Sequence, residues 1–370
     1  MKKPKSAQCA RIGFQNVNGI PLKNNLKSEH LTQVLKDYDF DYFGLQEINT
    51  HERILPPSHQ WKRKFPSLHT SAATNQHSPS QRKLLYGGTA QILNHNFCLR
   101  QVAHGQDPTH LGRWIWTLLR GRQGIQVRII SGYRPVEDTS NRPFTVYSQH
   151  EYYFNQIATP PHHRNPRTAF FEDLNISLVE WMAAGDQIIL GLDANEDINS
   201  GNIREWMNSR GLVNALHQSH PTLSHVATCN KNSNNIPIDG IWISPSLRIA
   251  AAGMTGFGEV FSDSDHRLLW LDISVESLFG FHAPPPARRP IDSLPIRDPR
   301  AMRKYNKYVK AQFQVHHLPE KTFALERKAL TNEFSSSDIH EFNMIQHIQN
   351  DIRRRARKKC RRFYTSQTLY

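Results

Sequence analysis

The residues of this chain best equipped for chemistry stand in six places, each against an apolar run that reads as a buried strand. They are Asn16 and Asn18 of N-V-N-G, Glu47 of Q-E, Tyr133 of Y-R-P, Asp193 and Asn195 of D-A-N, Asp239 of I-D-G-I-W, and Ser264, Asp265 and His266 of S-D-H. Taken singly, each has an ordinary reading. Asn-Gly is a turn signal, a carboxylate after a strand often caps a helix, and a histidine at a strand entrance is often just hydrogen-bonded structure. Taken together, acids, amides, a phenol and an imidazole at strand ends fit one carboxylate-lined cleft at one end of a sheet sandwich. Such a cleft suits a metal and a phosphate, because hard cations take oxygen ligands and phosphate takes charged donors.

The elements that must hold these residues can be read from pattern. Apolar runs predict strands at residues 11–17, 40–47, 86–93, 113–119, 127–133, 187–193, 238–243 and 268–273. The pair at 113–119 and 127–133 is joined by R-G-R-Q-G, a hairpin connection. Leu26, Leu31, Val34 and Leu35 mark one helix, and a second is expected from Thr168 to Ala184. The polar stretch from Pro56 to Lys83 reads as loop. Strands with intervening helices, only partly hairpin-linked, predict an α/β layered domain rather than a purely parallel sheet.

A chain of 370 residues with 38% hydrophobic content, seven Trp and eighteen Phe has the makings of a substantial core. No run reaches the eighteen or so apolar residues a membrane span needs, and no apolar segment follows the basic N-terminus. Cys9, Cys98, Cys229 and Cys360 show neither C-x-x-C nor pairing spacing, so reduced intracellular thiols are expected, with no structural zinc site. The net charge of +14 is uneven: residues 281–370 hold nineteen Lys or Arg against eight Asp or Glu, which is +11 and leaves +3 for the rest. A basic tail without an apolar anchor suggests a polyanion, nucleic acid before membrane.

In order and composition these sites resemble the endonuclease/exonuclease/phosphatase superfamily, and most of all the endonuclease domain of LINE-type retroelements. The resemblance is carried by Asn16–Gly19, Gln46-Glu47, Tyr133, Asp193-x-Asn195, Ile238-Asp239 and Ser264–His266, with Gly87-Gly88 and Gly112-Arg113-Trp114 at further strand positions. It runs from about Arg11 to Ile273. One departure is Gly191-Leu192-Asp193, where a residue stands between the family's usual Gly-Asp pair and puts the local turn in question.

The resemblance implies a four-layer α/β/β/α sandwich of two packed mixed sheets flanked by helices, over residues 10–276. A tail at 1–9, a Pro-rich linker at 277–300 and a basic helical extension at 301–370 complete the expected organisation. It also implies roles. Glu47, with Asn18 and Asp265, would hold Mg²⁺, for which Mn²⁺ can substitute. Asp193 would activate water, Asn195 would orient it, and His266 paired with Asp239 would donate to the scissile phosphate. Asn16 and Tyr133 would complete the donors, and Arg113, Thr228 and Ser264 would contact substrate.

The same chemistry serves several esters. I-P-I-D-G-I-W lacks the Pro-x-Trp-x-Asp-Arg stretch of inositol phosphatases, and a sphingomyelinase would be secreted. DNA is therefore the expected substrate, and the resemblance implies a nick that leaves a 3′-hydroxyl and 5′-phosphate. Abasic-site repair, phosphomonoester or phospholipid hydrolysis, and silent DNA binding are the alternatives. The tail resembles the segment that joins endonuclease to reverse transcriptase. No Tyr/Phe-x-Asp-Asp motif occurs, so a polymerase would be a separate partner. Helices are expected near 301–315 and 338–363. In the second, Ile345, Ile348, Ile352, Ala356, Cys360 and Phe363 form a stripe, leaving Arg353, Arg354, Arg355, Arg357, Lys358 and Lys359 for DNA, for a nuclear localisation signal, or simply for water.

Overall fold

The computed structural model describes residues 4–20, 26–56, 59–65, 68–138, 144–157, 164–223, 225–231, 236–281, 298–331 and 335–360. The first of its two units runs to Pro285. Its strands are β1 (Cys9–Asn16), β2 (Tyr42–Gln46), β3 (His69–Ala73), β4 (Thr89–Leu93), β5 (Gln101–Gln106), β6 (Trp114–Arg120), β7 (Gln126–Tyr133), β8 (Gln187–Asp193), β9 (Val213–Asn214), β10 (Asp239–Ile243), β11 (Ile249–Met254) and β12 (Leu269–Ser274). They form two six-stranded sheets, ordered β11-β12-β1-β2-β4-β3 and β5-β6-β7-β8-β10-β9.

The centres of the two sheets repeat one plan. β1 lies parallel to β2 and antiparallel to β12, and β7 lies parallel to β8 and antiparallel to β6. A parallel joint needs a crossover. The helix Leu26–Asp37 supplies it between β1 and β2, and the helix Pro166–Ala183 between β7 and β8. Leu31, Val34 and Leu35 of the first helix pack with Phe43 and Leu45. Phe170, Leu174 and Leu178 of the second pack with Ile188 and Leu190. Between the sheets lie Ile12, Phe14, Ile129, Ile189, Ile241 and Leu271. The layers are helix, sheet, sheet and helix, as expected.

Side-chain alternation aims the cleft residues. Phe14, Gly44 and Gly191 each stand two residues before a strand-end residue, Asn16, Gln46 and Asp193, so each pair shares a face. A Cβ on Gly191 would lie 2.2 Å from the Phe14 ring, and one on Gly44 would lie 2.5 Å from it. The ring of one sheet thus fills the space two glycines leave in the packing. The next inward positions, Asn16 and Asp193, meet across the gap. Leu192 keeps β8 in continuous register with β7 and β10 through Asp193, so the residue after Gly191 is an ordinary strand position.

Several elements differ from expectation. The 56–83 stretch holds β3, paired along its length with β4, and buried Trp61 and Phe65. β5, β9 and β11 are also additional, and all are at or near sheet edges, where half-exposed residues carry a weak apolar pattern. The helix Val146–Ile157 is a further addition, lying in the chain between β7 and the helix Pro166–Ala183. Chain expected as N-terminal tail is tied down, since Lys5 Nζ lies 2.7 Å from Asp41 Oδ2 and Cys9 opens β1. At the other end the helix Val275–Phe279 buries Leu278 and Phe279, so the unit extends past residue 276. Residues 282–297 of the expected linker lie outside the described residues.

The second unit has three helices among its described residues, Pro299–Val315, Leu318–Leu330 and Ser336–Cys360. The expectation was two; Pro319 at the start of the middle helix breaks the pattern without preventing the turn. Ile345 and Ile352 pack with Leu318 and Leu325, with Ile348 alongside. Ala356 and Cys360 are also buried, and Phe363 lies outside the described residues. Arg353, Arg354, Arg355, Arg357, Lys358 and Lys359 are exposed. No helix of the described residues is long and apolar enough to cross a membrane.

Candidate active site

Asp193 ends β8 wholly buried, where both sheets supply it with partners. Asn16 Nδ2 at the end of β1 donates to its Oδ2 at 2.9 Å, and the Asn195 amide donates to its Oδ1 at 3.1 Å. His266 Nε2 lies 3.9 Å from the same Oδ2, while Nδ1 is 2.9 Å from Asp239 Oδ2 at the start of β10. Burial, then the charge of Asp239, pushes the Asp193 carboxyl well up from its ordinary range, with His266 pulling it back. Burial works against the His266 imidazolium, but Asp239 and Asp193 outweigh it and raise its pKa well above 6.5.

The loops bend sharply where the strands end. Asn18, Glu47 and Asn195 have φ of 47°, 49° and 48°, the left-handed region. Asparagine tolerates this, but a glutamate held there stores strain that the surroundings must impose. Gly19 donates its amide to Glu47 O at 2.7 Å, which locks the loop after β1 to the loop after β2. Tyr133, at the end of β7, is buried, with its hydroxyl close to Glu47 and Asn195. Burial, then the charges of Glu47 and Asp193, lifts its pKa well above 10, so it remains a donor. A cleft of about 500 Å³ opens beside Glu47 and Tyr133, bounded by Tyr86, Val136 and Tyr147.

Other expected site residues act at one remove. Thr228 Oγ1 accepts the amides of Ile238 and Asp239 at 2.9 and 3.0 Å and so fixes the start of β10. Ser264 Oγ donates to Asn16 O at 2.6 Å and accepts from the His266 amide at 3.2 Å, joining two site loops. Asn18, by contrast, remains a direct ligand candidate, with Nδ2 bonded to Asp263 O at 3.3 Å. Arg113 is not brought to the cleft as a free cation. It is wholly buried, with Nη2 2.8 Å from Asp173 and Nε 3.3 Å from Asp107. Its guanidinium is consumed in packing; its carbonyl positions the site by accepting the Tyr133 amide at 2.7 Å.

Sequence reading missed a second ring of residues. Glu196 Oε2 binds Arg134 Nη1 at 2.5 Å and Arg167 Nη2 at 2.8 Å, and Arg167 also reaches Asn195 O at 3.3 Å. These two arginines clamp the Asp193–Glu196 turn. Lys231 Nζ lies 2.9 Å from Asp265 Oδ2 and also feels the charge of Glu47. Asp265 is raised by burial and lowered more strongly by Lys231 and His266. A residue-by-residue scan had no signal for these pairs, except the Arg-Pro after Tyr133. The oxygen donors Glu47, Asn18 and Asp265 are the right type for a hard divalent cation, and an ammonium group already rests against the acids.

Two of three comparisons place the chain among known proteins. No curated protein matches it. Among solved structures, it is similar to the catalytic domain of human Nocturnin (17% identity, 72% of this chain and 93% of that one, TM-score 0.50). It is also similar to the 3′ phosphatase NExo from Neisseria bound to product DNA hairpin (17%, 71% and 99%, TM-score 0.50). The catalytic domain of Xenopus laevis APE2 is a third (14%, 71% and 91%, TM-score 0.51). At these identities the likeness speaks for the fold. The sequence profile of the Endonuclease/Exonuclease/phosphatase family matches residues 13–266, the span that carries every residue of the buried constellation. The chain belongs to this family of hydrolases.

Proposed function

We propose that the chain is a Mg²⁺-dependent phosphodiester hydrolase that nicks DNA, as part or remnant of a retroelement protein. The observation that carries the reading is the placement of Asp193, a buried acid oriented by Asn16 and Asn195 and set beside a charged imidazole. A carboxylate whose pKa is raised is a stronger base, so Asp193 takes a proton from the attacking water. Asn195, held by Arg134 O at 2.7 Å, sets that water against the phosphorus. His266, fixed by Asp239, and Tyr133 donate to the phosphate oxygens as negative charge builds on them. Glu47, Asn18 and Asp265 would hold the metal, which would supply positive charge to the phosphate and to the leaving oxygen. Asp265 would have to be released by Lys231 to serve as that ligand.

DNA as the substrate is supported by the ordered motif set and by the six exposed Lys and Arg side chains of the helix Ser336–Cys360. Those basic residues also support nuclear residence, and the resemblance of the tail supports a reverse transcriptase as partner. A 5′-labelled duplex oligonucleotide and p-nitrophenyl phosphate, offered in parallel, test the substrate class. Internal cuts with polymerase-extendable 3′-hydroxyl ends are expected. Hydrolysis of the monoester alone would overturn the reading.

A further inference from the structure

Cys229 enters none of the chemistry above, yet the fold sets it against two of the site residues. It pairs with His266 in an isolated antiparallel bridge, anchored by Asn230 N to Asp265 O at 2.9 Å and Arg267 N to Thr228 O at 2.8 Å. Its buried Sγ lies 3.9 Å from Asp265 Oδ2. One ligand atom from each of Cys229, Asp265 and His266 falls within 4.8 Å of the others. We propose that Cys229, Asp265 and His266 form a site for a thiophilic divalent ion, Zn²⁺ above all, overlapping the hydrolytic centre and opposing it.

Three observations converge on this. A tetrahedral zinc ion with thiolate, imidazole and carboxylate ligands holds them about 3.3–3.6 Å apart, given bonds of about 2.0–2.3 Å. The observed sulfur-to-oxygen distance exceeds that by a few tenths of an ångström. His266 is already bonded to the Asp239 carboxylate through Nδ1, the outer-shell partner that zinc-binding histidines use to orient the ring. The thiolate is a soft ligand that favours zinc over magnesium, which Glu47 and Asn18 with their oxygen donors do not. Binding releases the thiol proton and the Nε2 proton of the His266 imidazolium to solvent and displaces Lys231 from Asp265. It also withdraws His266 and Asp265 from phosphate and magnesium, so zinc acts as an inhibitor.

The ion site stands on the geometry, while the inhibition rests on the proposed hydrolysis, and the test separates them. Co²⁺ is titrated into the full chain, and its near-ultraviolet thiolate charge-transfer band is recorded beside Cys229→Ser and Cys229→Ala, with thermal melts to show both variants folded. One equivalent should produce the band in the parent, and each variant should bind at least about tenfold more weakly with the band gone. Plasmid nicking in Mg²⁺ is then followed as Zn²⁺ is added, each protein scaled to its own zinc-free rate. Inhibition should shift to at least about tenfold higher Zn²⁺ in the variants. A parent without the band, or a band unchanged by both substitutions, would overturn the site. A parent that gives the band but never nicks DNA would leave the site standing and sink the hydrolytic reading instead.

Discussion

Replacing Thr228 by Val keeps the shape of a wholly buried side chain and removes one oxygen. That oxygen accepts two main-chain amides, Ile238 N at 2.9 Å and Asp239 N at 3.0 Å. Both donors would then face a methyl group in place of an acceptor. Each orphaned buried donor costs about 1–3 kcal/mol, so the pair should cost about 2–4 kcal/mol once the loop relaxes. With a urea slope of about 3 kcal/mol per M, the midpoint falls by roughly 1 M. The assay is tryptophan fluorescence, which reports the first unit alone because Trp61, Trp114, Trp116, Trp181, Trp206, Trp242 and Trp270 all lie within it. Thr228→Ser keeps the acceptor and should lose no more than about 1 kcal/mol for its missing methyl. Activity should fall further in Thr228→Val than stability alone explains, because Asp239 starts the strand those bonds pin. A Val variant within about 0.5 kcal/mol of the parent, or a Ser variant equally damaged, would refute the argument.

Asp239→Asn removes the main force that opposes burial at His266, and nicking should fall by about 10²–10⁴-fold. The sign for pH follows from the raised pKa: the imidazolium is fully present below pH 6.5 and is lost as pH rises through the elevated value, so the substitution moves that loss downward, visible as the His266 ring titration by NMR. Arg113→Met strips Asp107 and Asp173 of a buried partner and should cost about 3–5 kcal/mol in the same fluorescence assay, with KM for DNA unchanged under native conditions. Changing Arg353, Arg354, Arg355, Arg357, Lys358 and Lys359 together to Gln should flatten the salt dependence of DNA affinity by about 0.9 log unit per lost phosphate contact. An unchanged slope would mean that the exposed face meets only water.

The parts of the fold legible in the sequence were those buried on two faces. Q-I-I-L-G-L-D has no polar face because helix covers one side of β8 and sheet the other, so its identity as a strand survived without context. His69–Ala73 and Ile249–Met254 are edge or near-edge strands with mixed exposure, and their pattern is too weak to separate from loop. The same division runs through the site. Asn16, Asp193, Asp239 and His266 abut strong strands, and the fold gathers them through two hydrogen bonds, Asn16 to Asp193 and His266 to Asp239, with 3.9 Å between His266 and Asp193. Arg113 stands in a motif position, but pairing with Asp107 and Asp173 is set by tertiary packing. Glu196 with Arg134 and Arg167, and Lys231 with Asp265, come from different stretches of chain and meet only after folding.

Nicking of supercoiled plasmid, with and without Mg²⁺, by the full chain beside Asp193→Ala and His266→Ala is the most direct test of the hydrolytic centre. The account predicts relaxed circles only with Mg²⁺ and only from the parent, with both variants folded by thermal melt. Salt-sensitive retention of the plasmid with no relaxation by the parent, or relaxation that persists in both variants, would contradict it.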